Sequence, residues 1–447
     1  MHCGLFFFLR RHYPGRRGRG HSGLHKCNSR TSARALRRHR KSRKEGRVNL
    51  PALRNLGAEE MSSQKYDCIV IGAGIQGSYT AYHLAKNNRK TLLIEQFALP
   101  HARGSSHGQT RIIRKAYEED FYFHMMEESY LLWSHMEAES GVQLYRQTGL
   151  LVTGPEKSRD FQGMKEALEL NRVPSVVLAP EEFPQHIPHF KLGDGHGAVV
   201  DTTAGVLYAD RALKAVQGAF QKLGGVIKDG EKVSGITPGS EVTVTTASGA
   251  HKAASLVITA GPWANAVLSH VGLQLPLQVQ KINVCYWREK VPGTYSVSRR
   301  FPCFIQLPSE MEKTDIYGLP SNEYPGLMKV CYHAGSETDP DQRDKQTDRG
   351  DVAILSSYIS RHLPGLESVP AVVESCMYTV TPDHHFVLDR HPMHSNIIIG
   401  AGFSGHGFKF GPVVGKVLCE LSLGRPPSHD LSPFKLQRFQ NFLKSTL

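Results

Sequence analysis

Cys68–Ile71 is a short unbroken apolar run rich in β-branched residues, which predicts a strand buried on both faces. Gly72, Gly74 and Gly77 follow, and then Tyr79, Ala81, Leu84 and Ala85 fall on one stripe of a helix ending near Asn87-Asn88. Thr91–Ile94 predicts a second buried strand, with Glu95 at its carboxyl end. Ser255–Ala260 and Asn396–Gly400 read as two further returns to the same sheet. The first return leads into Gly261-Pro262-Trp263. The second leads through a glycine loop, residues 401–409, into a helix from about Pro412 whose buried stripe is Val414, Val417, Leu418 and Leu421. Between the returns, residues 147–207 and 281–379 have a different texture. Pro and polar residues interrupt them, and Ile282–Trp287 and Leu327–Tyr332 alternate with period two. They predict a mostly antiparallel sheet with helices, inserted twice into the first domain.

The opening pattern carries chemistry as well as fold. In G-x-G-x-x-G spacing the first glycine makes the tight turn, the second lets backbone approach a pyrophosphate, and the third lets helix and strand pack closely. The helix N-terminus presents N–H groups and partial positive charge to that pyrophosphate. Glu95, 18 residues after Gly77, is placed to accept hydrogen bonds from ribose hydroxyls. Strand, glycines, helix, strand and acid in register point to a bound dinucleotide. The acid disfavours NADP and leaves NAD and FAD open.

Charge changes the picture only at one end. The first 60 residues hold sixteen Lys and Arg against three acids, which accounts for the whole net charge of +13. The remaining chain is balanced, so the excess says nothing about a nucleic-acid surface on the folded body. Residues 1–60 have no amphipathic period and read as a disordered basic leader. Three accounts of it stay open: an upstream extension with the start at Met61, a mitochondrial transit peptide, or an arm binding nucleic acid loosely. No apolar run approaches the ~18 residues needed to cross a bilayer, so a soluble protein is expected. Eight cysteines without C-x-x-C or Cys/His metal spacing argue against a disulfide framework and against a structural metal.

Two further stretches invite chemistry. Residues 97–117 form a long basic segment with Arg103, His107, Arg111, Arg114 and Lys115, and loops of that length in compact domains usually have a function. Buried arginines there need anionic partners, and Arg111 and Arg114 would share a face if the segment is helical. Lys329 and His333, four apart in a period-two run, share one face of a strand. A lone Lys in such a run is more often the guard of an exposed sheet edge than a catalyst.

Taken together these motifs resemble the monomeric sarcosine oxidase family, and within it the peroxisomal branch that oxidises sarcosine and L-pipecolate. The likeness rests on the fingerprint at 72–77, on Gly104-Ser105-Ser106-His107-Gly108-Gln109-Thr110-Arg111-Ile112-Ile113-Arg114, on Cys376-Met377-Tyr378-Thr379, and on Gly400-Ala401-Gly402-Phe403-Ser404-Gly405-His406-Gly407-Phe408-Lys409. It runs in order from about residue 66 to about 440. It implies an α/β (α+β) architecture, an FAD-binding Rossmann-like domain of the D-amino-acid-oxidase type with a second, mostly antiparallel substrate domain. The expected division is 61–146, 208–280 and 380–447 for the FAD domain, and 147–207 and 281–379 for the substrate domain. It implies one FAD per chain, bound covalently through Cys376. Gly72, Gly74, Ile75, Gln76, Gly77, Glu95, Gln96, His107, Thr110, Arg111, Gly261, Gly402, Gly405, Gly407 and Lys409 would surround the cofactor. Arg114 and Lys409 would hold a substrate carboxylate, Arg111 and Lys329 would lie against the flavin with Lys329 activating oxygen, and Tyr317 and His333 would line the substrate cavity. One more residue separates Tyr317 from Lys329 than in the bacterial pattern.

The implied activity is oxidation of secondary amino acids, sarcosine, L-pipecolate or L-proline, to imines, with O₂ reduced to H₂O₂. A related dehydrogenase passing electrons to a quinone or an electron-transfer flavoprotein is the alternative enzyme, and a basic-armed nucleic-acid-binding protein the alternative outside enzymes. The implied partners are small amino acids and O₂, with no membrane and no specific nucleic acid, and a monomer is expected. Peroxisomal import through a receptor follows from the family, although the chain ends Ser445-Thr446-Leu447 where a basic central residue is the rule, and the leader keeps a mitochondrial address as the alternative. No acid stands near Arg114 or Lys409 in the sequence, as a clamp for an amino acid with a neutral nitrogen requires.

Overall fold

The computed structural model describes residues 65–440 and Phe442. The readings made for the leader and for the last three residues lie outside them. The strand Lys65–Ile71 occupies the middle of an eight-stranded sheet, in parallel with Thr91–Ile94 on one side and with Gly249–Ile258 on the other. Ile397–Ala401 joins the end of Gly249–Ile258, also in parallel. All four expected strands therefore lie side by side with their carboxyl ends together, where open α/β sheets bind ligands. Alternation explains why both faces are apolar. Cys68 and Val70 pack against the helices Ile75–Lys86, Asp120–Ser140, Ala209–Lys222 and Gly411–Ser422, whereas Ile69 and Ile71 face Leu268, Leu273, Leu436 and Phe439.

The second sheet has nine strands, drawn from 150–201 and 278–380. Its pairings are antiparallel except where Cys303–Gln306 runs with Leu150–Pro155. Ile282–Trp287 is the middle of a longer strand, Gln278–Glu289, which pairs with Leu366–Val380 from Gln278↔Val380 to Glu289↔Leu366. Leu327–Tyr332 lies between Ile316–Leu319 and Gln278–Glu289, an interior position, so Lys329 guards no edge.

The basic segment departs from its helical alternative. Thr110–Ile113 is a strand, antiparallel to Gly205–Tyr208, in a third sheet completed by Tyr145–Gln147. The β-branched pair Ile112-Ile113 favours that geometry, and Ile113 is fully buried beside Leu207. Arg111 and Arg114 consequently do not share a helical face.

Two glycines permit the close packing on which the first sheet depends. A Cβ at Gly77 would stand 1.9 Å from the Gly72 carbonyl oxygen and 2.5 Å from Thr259 Oγ1. One at Gly415 would stand 2.5 Å from Tyr79 Cβ, because the helices Ile75–Lys86 and Gly411–Ser422 touch backbone to backbone there. Gly415→Ala should therefore destabilise the protein by about 1–3 kcal/mol, the usual cost of overpacking. Gly218→Ala, in helix Ala209–Lys222 with nothing within 4 Å of the added carbon, should stabilise it by about 0.4–1 kcal/mol. Denaturant unfolding of the two variants checks both signs.

Candidate active site

One cavity of about 1220 Å³ runs from the carboxyl ends of the parallel strands to the face of the second sheet. That is large even against the ~300–1,000 Å³ typical of small-molecule pockets. At one end are Gly72, Gly74, Ile75, Gln76, Glu95, Gln96 and Gly261. His107, Thr110, Arg111, Cys376, Lys329 and Gly407 line the middle, and Arg114, Tyr317, His333, Gly405 and Lys409 complete the wall. Of the expected residues only Gly77 and Gly402 do not line it. Gly77 spaces the helix from the turn, and a Cβ at Gly402 would meet Thr381 Cγ2 at 2.4 Å.

The dinucleotide end fits FAD on several counts. Gly74 has its side-chain direction open except for Ser106 Oγ at 3.1 Å. Buried Glu95 accepts the Ala73 N–H at 2.9 Å and the Phe97 N–H at 3.1 Å, and a carboxylate retains further lone pairs for ribose hydroxyls. Gln76 donates to the Gly407 carbonyl at 2.8 Å, which ties the fingerprint helix to the second glycine loop, and its Oε1 is buried without a partner. The Ile75 N–H at the helix start is taken by Ser106 Oγ at 3.0 Å.

In the middle, Arg111 donates to the carbonyls of Thr110, Ser105 and His107 at 2.6–2.8 Å and lies over the Phe408 ring. It braces the loop through carbonyl dipoles, so the anionic partner expected of it is not required. His107, beside the Gly104 carbonyl, is pushed down to about 4 by burial and is neutral. Cys376 is buried on Leu366–Val380, with Sγ 3.9 Å from the Ser105 carbonyl, so the thiol abuts the basic loop.

Lys329 is buried and ion-paired. Its Nζ lies 3.3 Å from Glu323 Oε1 and 3.3 Å from the Thr110 carbonyl, and the Thr110 hydroxyl donates to the same carboxylate. Burial raises the Glu323 pKa, but Lys329 and the hydrogen bonds outweigh it and hold the group below its ordinary value. Glu323 lies in the turn between Ile316–Leu319 and Leu327–Tyr332. The register Tyr317↔Cys331 and Leu319↔Lys329 leaves Tyr317 on the cavity wall. There Tyr317, Tyr378 and His333 form a chain, hydroxyl to hydroxyl at 3.2 Å and hydroxyl to Nδ1 at 3.2 Å. Burial first, then Lys409 and Arg114, push His333 down to about 4.

Arg114 and Lys409 are arranged around Tyr117. The Arg114 guanidinium lies 4.0 Å over its ring, and Lys409 Nζ donates to its hydroxyl at 2.7 Å and to the His406 carbonyl at 2.8 Å. Lys409 stands on the turn between the glycine loop and helix Gly411–Ser422. Its carbonyl is fixed by Ser129 Oγ and Trp133 Nε1. Among the described residues neither cation forms an ion pair, and one Arg114 amino nitrogen is buried with no partner at all. Burial, and then Arg114, hold Lys409 well below the usual lysine range. Two adjacent basic groups without an anion between them have the chemistry to receive a carboxylate. Tertiary folding does bring one acid close. Asp315 lines the same cavity within electrostatic reach of Arg114, and burial raises it to about 6. The expectation that no acid stands near Arg114 fails along the chain, where Glu118 is four residues away and within its electrostatic reach, and in space, where Asp315 joins it.

Sequence reasoning missed Tyr117, Glu323, Asp315, Tyr378 and His406. Tyr378 could have been found, since it lies two residues after Cys376 on one strand and so on one face. Glu323 and Asp315 carry no local signal.

Comparison with known proteins agrees with this geometry. Residues 67–421 match the family described as FAD dependent oxidoreductase. Peroxisomal sarcosine oxidase of Homo sapiens is 55% identical over 392 residues, 87% of this chain and 100% of that protein. Monomeric sarcosine oxidase of Bacillus sp. (strain NS-129) is 35% identical over 84% of this chain and 97% of its own. Among solved structures, NikD, an unusual amino acid oxidase essential for nikkomycin biosynthesis, superimposes with a TM-score of 0.73 at 23% identity, covering 83% of this chain and 98% of that one, which speaks for the fold. On this match and these identities the chain belongs to the FAD dependent oxidoreductases and, within them, to the sarcosine oxidase family of amine-oxidising flavoenzymes.

Proposed function

We propose that the protein oxidises small secondary amino acids, sarcosine, L-pipecolate or L-proline, to imines and passes the electrons to O₂. The observation that carries this reading is the pair of buried basic side chains Arg114 and Lys409, with no anionic partner among the described residues, in the same cavity whose glycine-lined part fits FAD. When bound, FAD supplies the hydride acceptor and relays two electrons. The protein's own groups bind, orient and exclude water. Arg114 and Lys409 grip the carboxylate, and Tyr317, Tyr378 and His333 wall the space for the alkyl part. His333 is neutral, so it adds no charge against the amine. The two electrons and two protons removed from each amino acid reappear as H₂O₂. The peroxisomal names of the relatives support the same compartment for this chain.

Lys329 is the group proposed to stabilise negative charge developing on O₂. Its ion pair with Glu323 weakens that field, and this observation favours the second reading, a dehydrogenase that uses another electron acceptor. Stoichiometric H₂O₂ formation and O₂ uptake with sarcosine or L-pipecolate separate the two, and no O₂ uptake under turnover selects the dehydrogenase.

Three outcomes follow from the roles proposed. Arg114→Met should raise KM for the amino acid some 10- to 100-fold, since a charge-assisted bond contributes about 1.5–3 kcal/mol, with little change for amines lacking a carboxylate. Equal weakening of both substrate types in steady-state kinetics would remove the clamp. Lys329→Met should slow the half-reaction with O₂ far more than the half-reaction with substrate in stopped-flow traces. It should also lower stability by about 3–5 kcal/mol, because Glu323 is left buried and unpaired. Adding Glu323→Gln should restore much of the stability and none of the oxygen rate. Cys376 is proposed to carry the flavin by a thioether. Acid precipitation should leave the wild-type pellet yellow, with one FAD mass on the peptide containing Cys376, and Cys376→Ser should release its flavin. Free FAD from the wild type overturns the covalent link.

A further inference from the structure

Oxidation of an amino acid by hydride loss requires a neutral nitrogen, yet at physiological pH such substrates arrive as zwitterions. A proton acceptor must therefore stand where the carboxylate is gripped. Lys409 has the geometry of one. Its Nζ makes two hydrogen bonds, to the Tyr117 hydroxyl at 2.7 Å and the His406 carbonyl at 2.8 Å, both to neutral oxygens. A neutral amine has two N–H bonds, which these two contacts satisfy, and the side chain lines the cavity. An ammonium here would be a buried charge close to the Arg114 guanidinium, with no anionic partner among the described residues.

The surroundings point the same way. Tyr117 accepts from Lys409 and its hydroxyl lies 3.3 Å from His406 Nδ1, while His406 Nε2 lies 3.3 Å from the His384 carbonyl. With the Nε2 tautomer assigned by that carbonyl, the chain runs from His406 through Tyr117 with no negative charge in it. Arg114 stands across the same ring. His333 and His406 are both pushed down, by burial above all, so neither brings charge of either sign to Lys409. The acids within electrostatic reach of this group are Asp315 and Glu118, which interact with Arg114, and Glu119, which interacts with Tyr117; none forms an ion pair with Lys409 among the described residues. Burial and Arg114 lower the proton affinity of Lys409, as described above.

We propose that Lys409, neutral in the substrate-free site, takes the proton of the substrate's ammonium as the carboxylate docks, so that one transfer both charges the clamp and neutralises the amine. One N–H bond breaks on the substrate nitrogen and one forms on Lys409 Nζ. No electrons move and net charge is unchanged. The docked carboxylate reverses the electrostatic balance at Lys409, since an anion beside a titrating amine favours its charged form. The inference rests on the carboxylate-clamp reading and adds to it a role as acceptor.

The test is anaerobic titration calorimetry of the holoenzyme in two buffers of different ionisation enthalpy, which counts protons exchanged on binding. Methylthioacetate keeps the carboxylate but has no proton to give. α-Aminoisobutyrate is a zwitterion without an oxidisable C–H beside nitrogen. Methylthioacetate should bind with uptake of close to one proton from the buffer, and its affinity should fall about tenfold per pH unit on the alkaline side. α-Aminoisobutyrate should bind with almost none. Lys409→Met should still bind methylthioacetate weakly through Arg114, without proton uptake. Absence of uptake in the wild type overturns the proposal and leaves the clamp standing. Uptake that persists in Lys409→Met assigns the proton to His333, His406 or Asp315 and also overturns it. Methylthioacetate binding indifferent to both Arg114→Met and Lys409→Met would remove the clamp itself.

Discussion

The architecture of the site hangs on how closely the helix Ile75–Lys86 is held. Its third residue, Gly77, touches the Gly72 carbonyl at a separation no side chain permits, and its next turns meet the backbone of Gly411–Ser422 at Gly415. Because the second helix follows the glycine loop directly, this contact sets the depth at which Phe408 and Lys409 enter the cavity, with Phe410 anchored in the core behind them. Gln76 locks the arrangement with its bond to the Gly407 carbonyl. Residues more than three hundred positions apart are thereby held within one hydrogen-bonded unit, and a shift of the fingerprint helix would move the substrate end of the pocket as well as the cofactor end.

The cavity separates two cations by the company each keeps. Lys329 is neutralised by Glu323 and anchored by Thr110 on a strand in the interior of the second sheet. Among the described residues Lys409 and Arg114 have no such counter-ion and share one aromatic ring, so burial raises the free energy of their charged forms. A buried charge with its partner built in contributes a fixed field, whereas one without a partner is a vacancy for a ligand's charge. The same residue type thus has two uses in one pocket, decided by what the opposite strand or loop supplies.

The neutral histidines fit that division. His107, His333 and His406 are each pushed down, by burial above all, and so contribute ring edges and hydrogen bonds rather than charge. Tyr317, Tyr378 and His333 come from three strands or strand ends of the second sheet and meet through their polar tips. The aromatic wall is therefore rigid on the side where an alkyl group would lie, while the charged side is carried on the first sheet's loops.

Local pattern was enough for the strand Cys68–Ile71, the glycine turn, the helix behind it and Glu95, because each depends on neighbours within a few residues. Lys409 was not legible from local pattern and entered only through the family resemblance. The reading failed where long-range pairing decides the backbone. Arg111–Arg114 has a composition compatible with helix or strand, and only the presence of Gly205–Tyr208 alongside makes it a strand. Arg111 was expected to need an anion, and the loop that folds back over it offers three carbonyls instead. Lys329 read as an edge guard because nothing in its own run shows that strands lie on both sides of it. Glu323 and Asp315 were invisible for the same reason, since a single acid in a polar stretch looks solvated until folding buries it beside a particular cation. Sequence alone determined which residues bear charge and which turns are sharp. Only the tertiary structure decided which charges meet, because electrostatic partnership depends on distances across the sheet and not along the chain.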